Sequence, residues 1–426
     1  MNDKICVIGL GYIGLPTALV LADHGVRVVG VDVNENVVNT LKNKQIHIEE
    51  KGAQELLEKV IESGTFKVST TPEQADAFII SVPSPITDEK KADLDYVRAA
   101  TKSIVPYLQK GNLVILESTV PPRTVEDLMV PILEESGLKI GEELYVAHSP
   151  ERVLPGKIFH ELVNNDRIIG GINEKSGSMA KELYEIFVRG KIHLTDATTA
   201  EFVKLIENTY RDVNIAFANE LAKICENIGV DVWEAIKLAN YHPRVNIHFP
   251  GPGVGGHCIA VDPWFLVELQ PDVAKMIHLA RNINDGMPKY TANKVREIFA
   301  KRNIKNGRVA VFGLAFKGNV DDMRESPSFH VIDYLEKDGF DLSVYDPHIK
   351  VKSHERHTQS FDEAVNHSDM ILILTNHDEF NELDPTEIQG MRTKIVFDTK
   401  NCIDRQKWLD AGFEVITLGD TKNRRM

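Results

Sequence analysis

A glycine-rich stretch in the middle of the chain carries the most reactive candidate group. Residues 251–262 read Gly-Pro-Gly-Val-Gly-Gly-His-Cys-Ile-Ala-Val-Asp, so Cys258 follows four glycines and stands four residues before Asp262. Glycine loses more backbone entropy on folding than any other residue, so this density favours a loop that needs unusual backbone angles or a close approach to a ligand. A thiolate presented from such a loop could act as a nucleophile. The alternative is a connecting loop with an incidental cysteine.

A second set of polar residues lies on one face of a long predicted helix. Residues 199–228 have a helical period, and Gly229 ends the pattern. Within it Lys204, Asn208 and Arg211 stand at positions i, i+4 and i+7 among mostly apolar neighbours. A polar stripe usually faces solvent, but on a helix that is apolar elsewhere it favours a face that meets a partner or a ligand.

The beginning of the chain has the pattern of a dinucleotide-binding unit. A short apolar strand at 4–8 leads into Gly9-Leu-Gly-Tyr-Ile-Gly14, then a helix, and a second strand at 27–31 that ends at Asp32. The glycines would let the turn and the helix amino terminus approach a pyrophosphate, and Asp32 would accept from a ribose hydroxyl. Because the acid repels a 2′-phosphate, the pattern favours NAD over NADP. A purely structural use of the unit is the alternative.

Three more apolar runs extend this pattern. Strands are predicted at 77–82, 113–117 and 145–147. In a doubly wound sheet the ligand binds at the carboxyl ends of the strands, so segments 83–85 and 118–119 should line the cofactor groove. The third strand delivers segment 148–153 to the same edge. Ordinary turns and a surface loop are the alternatives.

The last third of the chain partly repeats the beginning. Segment 308–318 echoes the first strand and glycine turn, but Ala315 stands where the second glycine stood, which favours a nucleotide-sized anion over a second dinucleotide. Arg324 belongs either to a surface charge cluster or to an arm that reaches a phosphate. Further strands are predicted at 342–345, 370–374 and 395–397.

These elements predict an α/β protein with two Rossmann-like, doubly wound parallel-sheet domains joined by a central helical domain with a long helix. The predicted boundaries are 1–195, 196–303 and 304–426. A length of 426 residues fits two or three domains. The long, partly apolar helix between the two α/β domains favours a homodimer or a higher oligomer.

Composition excludes several classes of protein. The formal charge of −14, without any concentrated basic run, argues against a nucleic-acid surface. No apolar run is long enough for a membrane span, and the amino terminus enters a strand at once, so we expect a cytoplasmic protein. The four cysteines are far apart and the histidines do not cluster, so neither a disulfide framework nor a metal site is expected.

The combination of motifs resembles the nucleotide-sugar dehydrogenases that oxidise a sugar C6 alcohol to a carboxylate. The resemblance covers nearly the whole chain and rests on 251–262, on Gly313-Leu-Ala-Phe-Lys317 with Arg324-Glu-Ser-Pro, and on the helix at 201–220. Segment His148 to Lys157 is similar to the UDP-N-acetylmannosamine branch. Pro155 stands where the UDP-glucose branch typically has a second glutamate.

The resemblance implies roles for individual residues. The implied NAD contacts are Gly9, Gly11, Tyr12, Ile13, Gly14, Asp32, Ser84, Thr119 and Arg324. The implied substrate contacts are Arg152, Val153, Lys204, Asn208, Arg211, His242, Arg244, Gly255 and Lys317. The implied catalytic residues are the nucleophile Cys258 with Lys204, Asn208, Asp262 and Glu151.

The implied reaction is a four-electron oxidation of a UDP-sugar by two NAD, through a thiohemiacetal and a thioester on Cys258. Lys204, Asp262 and a water are candidates for the base of the first step, and Glu151 for activating the hydrolytic water. Lys204 and Asn208 would stabilise the oxyanions. The charge state of Lys204 is left open, because a cation suits the oxyanion and a base must be neutral.

Other functions remain compatible with the sequence. UDP-glucose or UDP-N-acetylglucosamine could be the substrate in place of UDP-N-acetyl-D-mannosamine. A single-step β-hydroxyacid dehydrogenase shares a Rossmann domain and a lysine/asparagine pair, but it needs neither the Cys258 loop nor a second α/β domain. A catalytically silent nucleotide-binding regulator is an alternative of a different class.

Overall fold

The computed structural model describes residues 4–48, 50–154, 156–305 and 307–420. The chain forms two compact units. The first contains the chain up to Glu207 together with Trp264–Leu269, and the second contains Asn208–Pro263 together with the chain from Gln270 onward. The finer division into three domains at 1–195, 196–303 and 304–426 stays a prediction.

The first unit is built on an eight-stranded sheet. Its strands are β1 (Lys4–Ile8), β2 (Arg27–Val31), β3 (Phe66–Ser69), β4 (Ala77–Ile80), β5 (Leu113–Leu116), β6 (Tyr145–His148), β7 (Arg167–Gly171) and β8 (Ile192–Asp196). Their spatial order is β3-β2-β1-β4-β5-β6-β7-β8. The fold class is confirmed, with one difference: β7 runs antiparallel to β6, pairing Ala147 with Gly171 and His148 with Gly170. Strands β3, β7 and β8 were not predicted.

Helices cover both faces of this sheet. They are α1 (Gly14–Asp23), α2 (Glu35–Lys42), α3 (Ala53–Glu62), α4 (Asp95–Ile104), α5 (Val130–Leu133), α6 (Ile158–Asn164) and α7 (Glu174–Tyr184). Alternate residues of β1 enter different cores, since Ile5 and Val7 pack in the layer of α1 whereas Cys6 and Ile8 pack in the layer of α4. Burial on both faces explains why the strands read as continuous apolar runs.

A long helix and four shorter ones follow this sheet along the chain. They are α8 (Ala197–Ile228), α9 (Val232–Ala239), α10 (Asp262–Leu269), α11 (Lys275–Asp285) and α12 (Met287–Lys301). The expected long helix is thus confirmed. Gly286 separates α11 from α12, and Pro288 lies in the first turn of α12, where its missing N–H is not needed. No helix among the described residues is long and apolar enough to cross a membrane.

The second unit contains a six-stranded sheet in which every pairing is parallel. Its strands are β9 (Arg308–Phe312), β10 (Asp341–Tyr345), β11 (His357–Thr358), β12 (Met370–Ile373), β13 (Ile395–Asp398) and β14 (Glu414–Thr417). The order β11-β10-β9-β12-β13-β14 repeats the arrangement around β1 of the first sheet. Its helices are α13 (Pro327–Lys337), α14 (Phe361–Val365), α15 (Asp378–Glu382) and α16 (Arg405–Asp410).

Candidate functional site

The first glycine turn has the geometry of a dinucleotide site. Gly9 has φ +91°, and a Cβ there would lie 2.4 Å from the Ser81 carbonyl oxygen. A Cβ on Gly14, where α1 begins, would lie 1.9 Å from the Gly9 oxygen. A Cβ on Gly11 would meet nothing within 4 Å, so the turn is closely packed at Gly9 and Gly14 but open at Gly11. Tyr12 and Ile13, which complete the turn, are half-buried.

Asp32 completes this site at the end of β2. One carboxylate oxygen accepts from the backbone N–H of Leu10 at 3.0 Å, and the other accepts from that of Asn34 at 2.9 Å. The side chain is half-buried, so each oxygen keeps a lone pair for a further donor. The open turn, the helix amino terminus and this acid therefore fit the pyrophosphate and ribose of NAD.

The segments behind β4 and β5 are joined to each other. The Ser84 hydroxyl donates to the carbonyl oxygen of Thr119. The Ser118 hydroxyl donates to the carbonyl oxygen of Val82 at 2.6 Å and accepts from its N–H at 3.0 Å. The structure thus brings together two of the residues that were singled out as NAD contacts, at one edge of the sheet.

Glu151 lies in the loop behind β6 and is held from two sides. One oxygen accepts from the N–H of Arg152 at 2.7 Å, and the other forms an ion pair with Arg167, the first residue of β7. Arg152 itself forms an ion pair with Glu207 at 2.8 Å, and Val153 packs against the apolar core that contains α1. The neighbouring Pro155 lies outside the described residues. Sequence reasoning missed Arg167, although a charged residue opening an apolar strand was a usable signal.

The polar stripe of α8 is buried, so the solvent-facing alternative is wrong for its first two members. Lys204 and Asn208 are 8% and 0% exposed. Arg211 is half-buried and donates to the side-chain oxygen of Asn208. On the same helix, large apolar side chains are exposed instead, among them Phe202 and Tyr210.

The Cys258 loop is anchored by Asp262. Cys258 is exposed, and its carbonyl oxygen accepts from the N–H groups of Val261 at 3.1 Å and Asp262 at 2.8 Å. The Asp262 carboxylate, which opens α10, accepts from the side-chain amide of Asn208 at 2.5 Å. A chain of hydrogen bonds therefore runs from Arg211 through Asn208 to Asp262, and it fixes which way the Asn208 amide points.

The glycines of this loop are required by packing within the second unit. A Cβ on Gly253 would lie 2.6 Å from Pro327, and one on Gly255 would lie 2.5 Å from the Glu325 carbonyl oxygen. Gly256 has φ +82°, and its Cβ would lie 2.8 Å from the Phe316 ring. The unusual backbone angles that the sequence predicted occur at Gly253 and Gly256, and the close approach observed for these glycines is to protein.

Lys400 is a cation that sequence reasoning missed. It follows β13, and its ammonium lies 3.2 Å from the position that a Cβ on Gly251 would occupy. Burial lowers the pKa of Lys400, while the neighbouring Cys402 and Asp398 act in the opposite direction. The glycine at 251 therefore leaves room for an ammonium against the start of the Cys258 loop.

The remaining predicted ligand residues lie in the second unit, and most are exposed. Arg324 donates two hydrogen bonds to Asp322, at 2.8 and 2.7 Å, so the charge-cluster alternative describes its present contacts. Lys317 is exposed in the loop behind β9. His242 and Arg244 are exposed in the turn behind α9, where the Arg244 N–H donates to the imidazole of His242 at 3.3 Å.

One histidine-rich group in the second sheet has ligand atoms close enough to suggest a metal. It consists of His348, His377 and Glu379. Both ring nitrogens of His377 are engaged, one accepting from the Asn319 N–H at 2.9 Å and the other bonded to Asp346 at 3.1 Å. The two imidazoles stack with their centres 4.6 Å apart, and the His348 ring lies 3.2 Å from Glu379. The group is a hydrogen-bonded cluster.

Three sequence models of the UDP-glucose/GDP-mannose dehydrogenase family match the chain. The NAD-binding domain matches residues 3–188, the central domain 198–286 and the UDP-binding domain 310–405. The chain is 53% identical over 430 residues to a UDP-N-acetyl-D-mannosamine dehydrogenase of Methanocaldococcus jannaschii, covering 99% of this chain and 98% of the relative. It is 47% identical over 407 residues to an NDP-N-acetyl-D-galactosaminuronic acid dehydrogenase of Ralstonia solanacearum, covering 93% and 95%.

Solved structures give the same picture. The UDP-N-acetyl-mannosamine dehydrogenase of S. aureus is 46% identical, with 99% of each chain covered and a TM-score of 0.91.

Proposed function

The chain belongs to the UDP-glucose/GDP-mannose dehydrogenase family, and we propose that its substrate is UDP-N-acetyl-D-mannosamine. It is an NAD-dependent UDP-sugar dehydrogenase, an oxidoreductase. The proposed reaction converts the C6 alcohol of the sugar to a carboxylate and yields UDP-N-acetyl-D-mannosaminuronate. The names of the archaeal relatives and of the S. aureus enzyme support this sugar. NAD, when bound at the first glycine turn, accepts a hydride in each of the two oxidations.

The observation that carries the proposal is the exposed Cys258 in a loop whose position is fixed by the Asn208–Asp262 hydrogen bond. After the first oxidation the Cys258 thiolate attacks the aldehyde carbon, forming a C–S bond and an alkoxide. The resulting thiohemiacetal has a hydrogen on C6 that the second oxidation removes, leaving a thioester. A free aldehyde also has a hydrogen on C6, but without the alkoxide it cannot release that hydrogen as hydride.

Asn208 is suited to stabilise the oxyanions of these steps. One of its amide N–H groups donates to Asp262, and its oxygen accepts from Arg211, which leaves the second N–H of the amide for a developing negative charge. Loss of one such donor costs on the order of 3 kcal/mol of transition-state stabilisation. Lys204 and Asp262 are the two candidates for the base that removes the proton of the C6 hydroxyl.

Glu151 is the proposed base for hydrolysis. Water attacks the thioester carbonyl while Glu151 takes its proton, the C–S bond breaks, and the Cys258 thiolate leaves with the bonding pair. We propose that cationic side chains of the second unit bind the diphosphate of UDP. The candidates are Lys317 behind β9, Lys400 behind β13, and Arg244 with His242 behind α9. Diphosphates are bound through such charge-assisted hydrogen bonds.

The first experiment is a panel of UDP-sugars scored for NADH. We expect two NADH for each UDP-N-acetyl-D-mannosamine, with a higher kcat/KM than for UDP-glucose or UDP-N-acetylglucosamine. A higher kcat/KM for either of those sugars would replace the proposed substrate. Absence of NADH with every UDP-sugar would revive the silent regulator.

The second experiment tests the covalent step. We expect Cys258→Ala to lower acid formation on the order of 1,000-fold. Cys258→Ser should release free aldehyde, because the weaker nucleophile traps it poorly. Wild-type turnover by Cys258→Ala would show that catalysis is not covalent.

We also propose that the enzyme is a homodimer that pairs through α8. Six large apolar side chains are exposed on this helix at spacings of four or seven residues: Phe202, Ile206, Tyr210, Phe217, Ile224 and Ile228. Such a repeat forms one stripe, which a second copy of the same helix would cover. Light scattering should give a dimer or a multiple of it, and Phe217→Glu with Ile224→Glu should shift it to a monomer. A monomeric wild-type chain would contradict the proposal.

A further inference from the structure

We infer that Arg167 is a positioning residue that holds Glu151 in place for thioester hydrolysis. The inference deepens the proposed function and rests on it, because Glu151 is a base only if that mechanism holds. The structure contributes the arginine, its burial and its contacts, all within the first unit. No sequence motif used above contains Arg167.

The pairing of Glu151 with Arg167 follows from the strand that runs backward. His148 lies opposite Gly170 in the antiparallel pair of β6 and β7. Beyond His148 the chain enters the loop that carries Glu151, and β7 begins at Arg167, three residues before Gly170. Because the two strands are antiparallel, the end of β6 lies beside the beginning of β7. The Glu151 and Arg167 side chains meet there in the ion pair.

The carboxylate of Glu151 has one donor on each oxygen. The N–H of Arg152 serves one oxygen at 2.7 Å, and the Arg167 guanidinium serves the other. Two donors on two oxygens fix both the position and the plane of the carboxylate, while each oxygen keeps a lone pair for water. The Glu151 carboxylate is therefore held in a fixed orientation in which it can accept a proton from the attacking water, as a general base requires.

Arg167 is itself held rigidly on its other side. It is 4% exposed, and one of its terminal nitrogens donates to the Ser149 hydroxyl at 3.0 Å and lies 3.6 Å from Glu117. Its guanidinium stacks 4.3 Å from the centre of the Tyr184 ring, whose hydroxyl donates to Glu117 at 2.6 Å. A planar cation clamped in this way transmits its position to Glu151.

Burial and the neighbouring charges shift the pKa values of the groups around Arg167. Burial raises the pKa of Glu117, although Arg167 opposes the effect. Burial also raises the pKa of Tyr184, with the charge of Glu117 adding to it. The pKa of Arg167 is raised by Glu151, Tyr184 and Glu117 against the effect of burial, so the cation persists. One cation thus serves two carboxylates, those of Glu117 and Glu151.

The test uses the full-length enzyme, UDP-N-acetyl-D-mannosamine and NAD. Acid quenching followed by intact mass spectrometry reports the fraction of chains that carry the sugar acyl group on Cys258. Glu151→Gln is the reference, and it should accumulate this adduct. We expect Arg167→Met and Arg167→Lys to accumulate it too, with hydrolysis slowed about 10- to 100-fold. The initial burst of NADH should remain close to wild type.

Hydroxylamine separates a positioning role from general damage. Its nitrogen attacks the thioester carbonyl, the C–S bond breaks, and a hydroxamate forms with the Cys258 thiolate as leaving group. This nucleophile needs no activation by Glu151, so it should clear the adduct from the Glu151 and Arg167 variants at similar rates. Tyr184→Phe is the matched control, because it disturbs the same cluster on the Glu117 side. It should lower the melting temperature without accumulating adduct.

The possible results are distinguishable. If Glu151→Gln accumulates adduct and the Arg167 variants hydrolyse it at the wild-type rate, the inference is wrong and the proposed function stands. If Glu151→Gln does not accumulate adduct, the proposed base is wrong and Arg167 has nothing to position. Where Arg167→Met does not fold, Arg167→Lys keeps the charge but loses the planar fork, and it decides the question. The double variant with Glu151→Gln should be no slower than Glu151→Gln alone.

Discussion

The two sheets begin in the same way, but the aspartate behind the second strand has a different use in each. In both units the glycine behind the first strand has positive φ, +91° at Gly9 and +99° at Gly313. In both, its N–H donates to the last residue of the second strand, and an aspartate follows that strand. Asp32 and Asp346 both accept from the loop behind the first strand and from the residue two positions further on.

What differs is the space around the acid. Asp32 is half-buried and has two backbone donors. Asp346 is 1% exposed and also accepts from the Ala315 N–H at 3.0 Å and from His377 at 3.1 Å. A ribose hydroxyl could therefore reach the Asp32 carboxylate, whereas the hydrogen-bonding capacity of the Asp346 carboxylate is taken by donors of the protein itself.

The helix that follows the first strand also begins at a different distance from the glycine turn in the two units. α1 begins at Gly14, immediately after the first glycine turn, whereas α13 begins at Pro327, with a long loop between it and Gly313. A helix amino terminus next to the turn provides an anion site, and a distant one does not. A shared strand order therefore does not imply a shared ligand, because the ligand depends on the turn and the acid.

The largest contrast should come from Asp346→Asn. The change removes a buried charge that four donors satisfy, so we expect a loss of roughly 3 kcal/mol in the free energy of unfolding. NAD affinity should stay within about twofold, since Asp346 belongs to the second unit. Urea unfolding and calorimetric titration with NAD measure the two quantities. A parallel loss of NAD affinity would contradict a purely structural role for Asp346.

The pH dependence of stability sharpens the same point. The pKa of Asp346 is lowered from its usual 3.8, because the hydrogen bonds from His377 and the loop outweigh the effect of burial. A lowered folded-state pKa gives stability that is present above the unfolded value and is lost as pH falls through the folded one. Wild-type stability should therefore fall more steeply below about pH 4 than that of Asp346→Asn. Equal slopes would contradict this role.

Gly14→Ala should weaken NAD binding and also lower stability. An added Cβ would lie 1.9 Å from the Gly9 oxygen, so the turn must open and α1 must shift. We expect NAD binding to weaken about 10- to 100-fold, as a strain of 1–3 kcal/mol would produce. Gly318→Ala is the matched control, since its Cβ would lie 2.2 Å from the Asn376 oxygen in the second unit. That variant should lose stability and keep its NAD affinity.

Asp32→Asn should weaken NAD binding about tenfold, because a charged acceptor of the ribose hydroxyls becomes a neutral one. NADP binding should improve relative to NAD, since the repulsion of the 2′-phosphate is removed. Unfolding by urea should differ little from wild type. A large loss of stability with unchanged NAD affinity would show that Asp32 and Asp346 play the same structural part.

The smallest effect is expected from Ala315→Gly. The change restores the second glycine of the turn in the second sheet, yet α13 still begins far from the turn and Asp346 is still enclosed. We expect the number of NAD sites per chain to remain unchanged in calorimetric titration. A second NAD site in this variant would mean that the alanine alone decides the ligand.

Much of this architecture could be predicted, because its signals are local. The glycine turn, Asp32 and α8 follow from spacing and periodicity, and the buried strands β1, β4 and β12 follow from short apolar runs. The reversal of β7 could not be predicted, since strand direction depends on the path of the intervening chain. For the same reason Arg167 could not be placed beside Glu151.

The sequence correctly predicted a backbone requirement for glycine in the Cys258 loop, but it did not predict what imposes that requirement. A Cβ in the loop would clash with Pro327, Glu325 or Phe316, which are distant in sequence, and no local pattern connects them to the loop. Lys400 was missed because a lysine behind a strand is ordinary in sequence. Its significance lies in the space that Gly251 leaves for its ammonium.

The reversal between β6 and β7 has a consequence for how this region tolerates insertions. The antiparallel pairing brings the end of β6 beside the beginning of β7, where Glu151 and Arg167 meet, whereas the connection between them passes through α6 and the exposed residues 164–166. Residues added or removed near Asn164 would change the length of that excursion and leave the facing pair where it is. The hydrolytic step should therefore tolerate a change in the length of this connection.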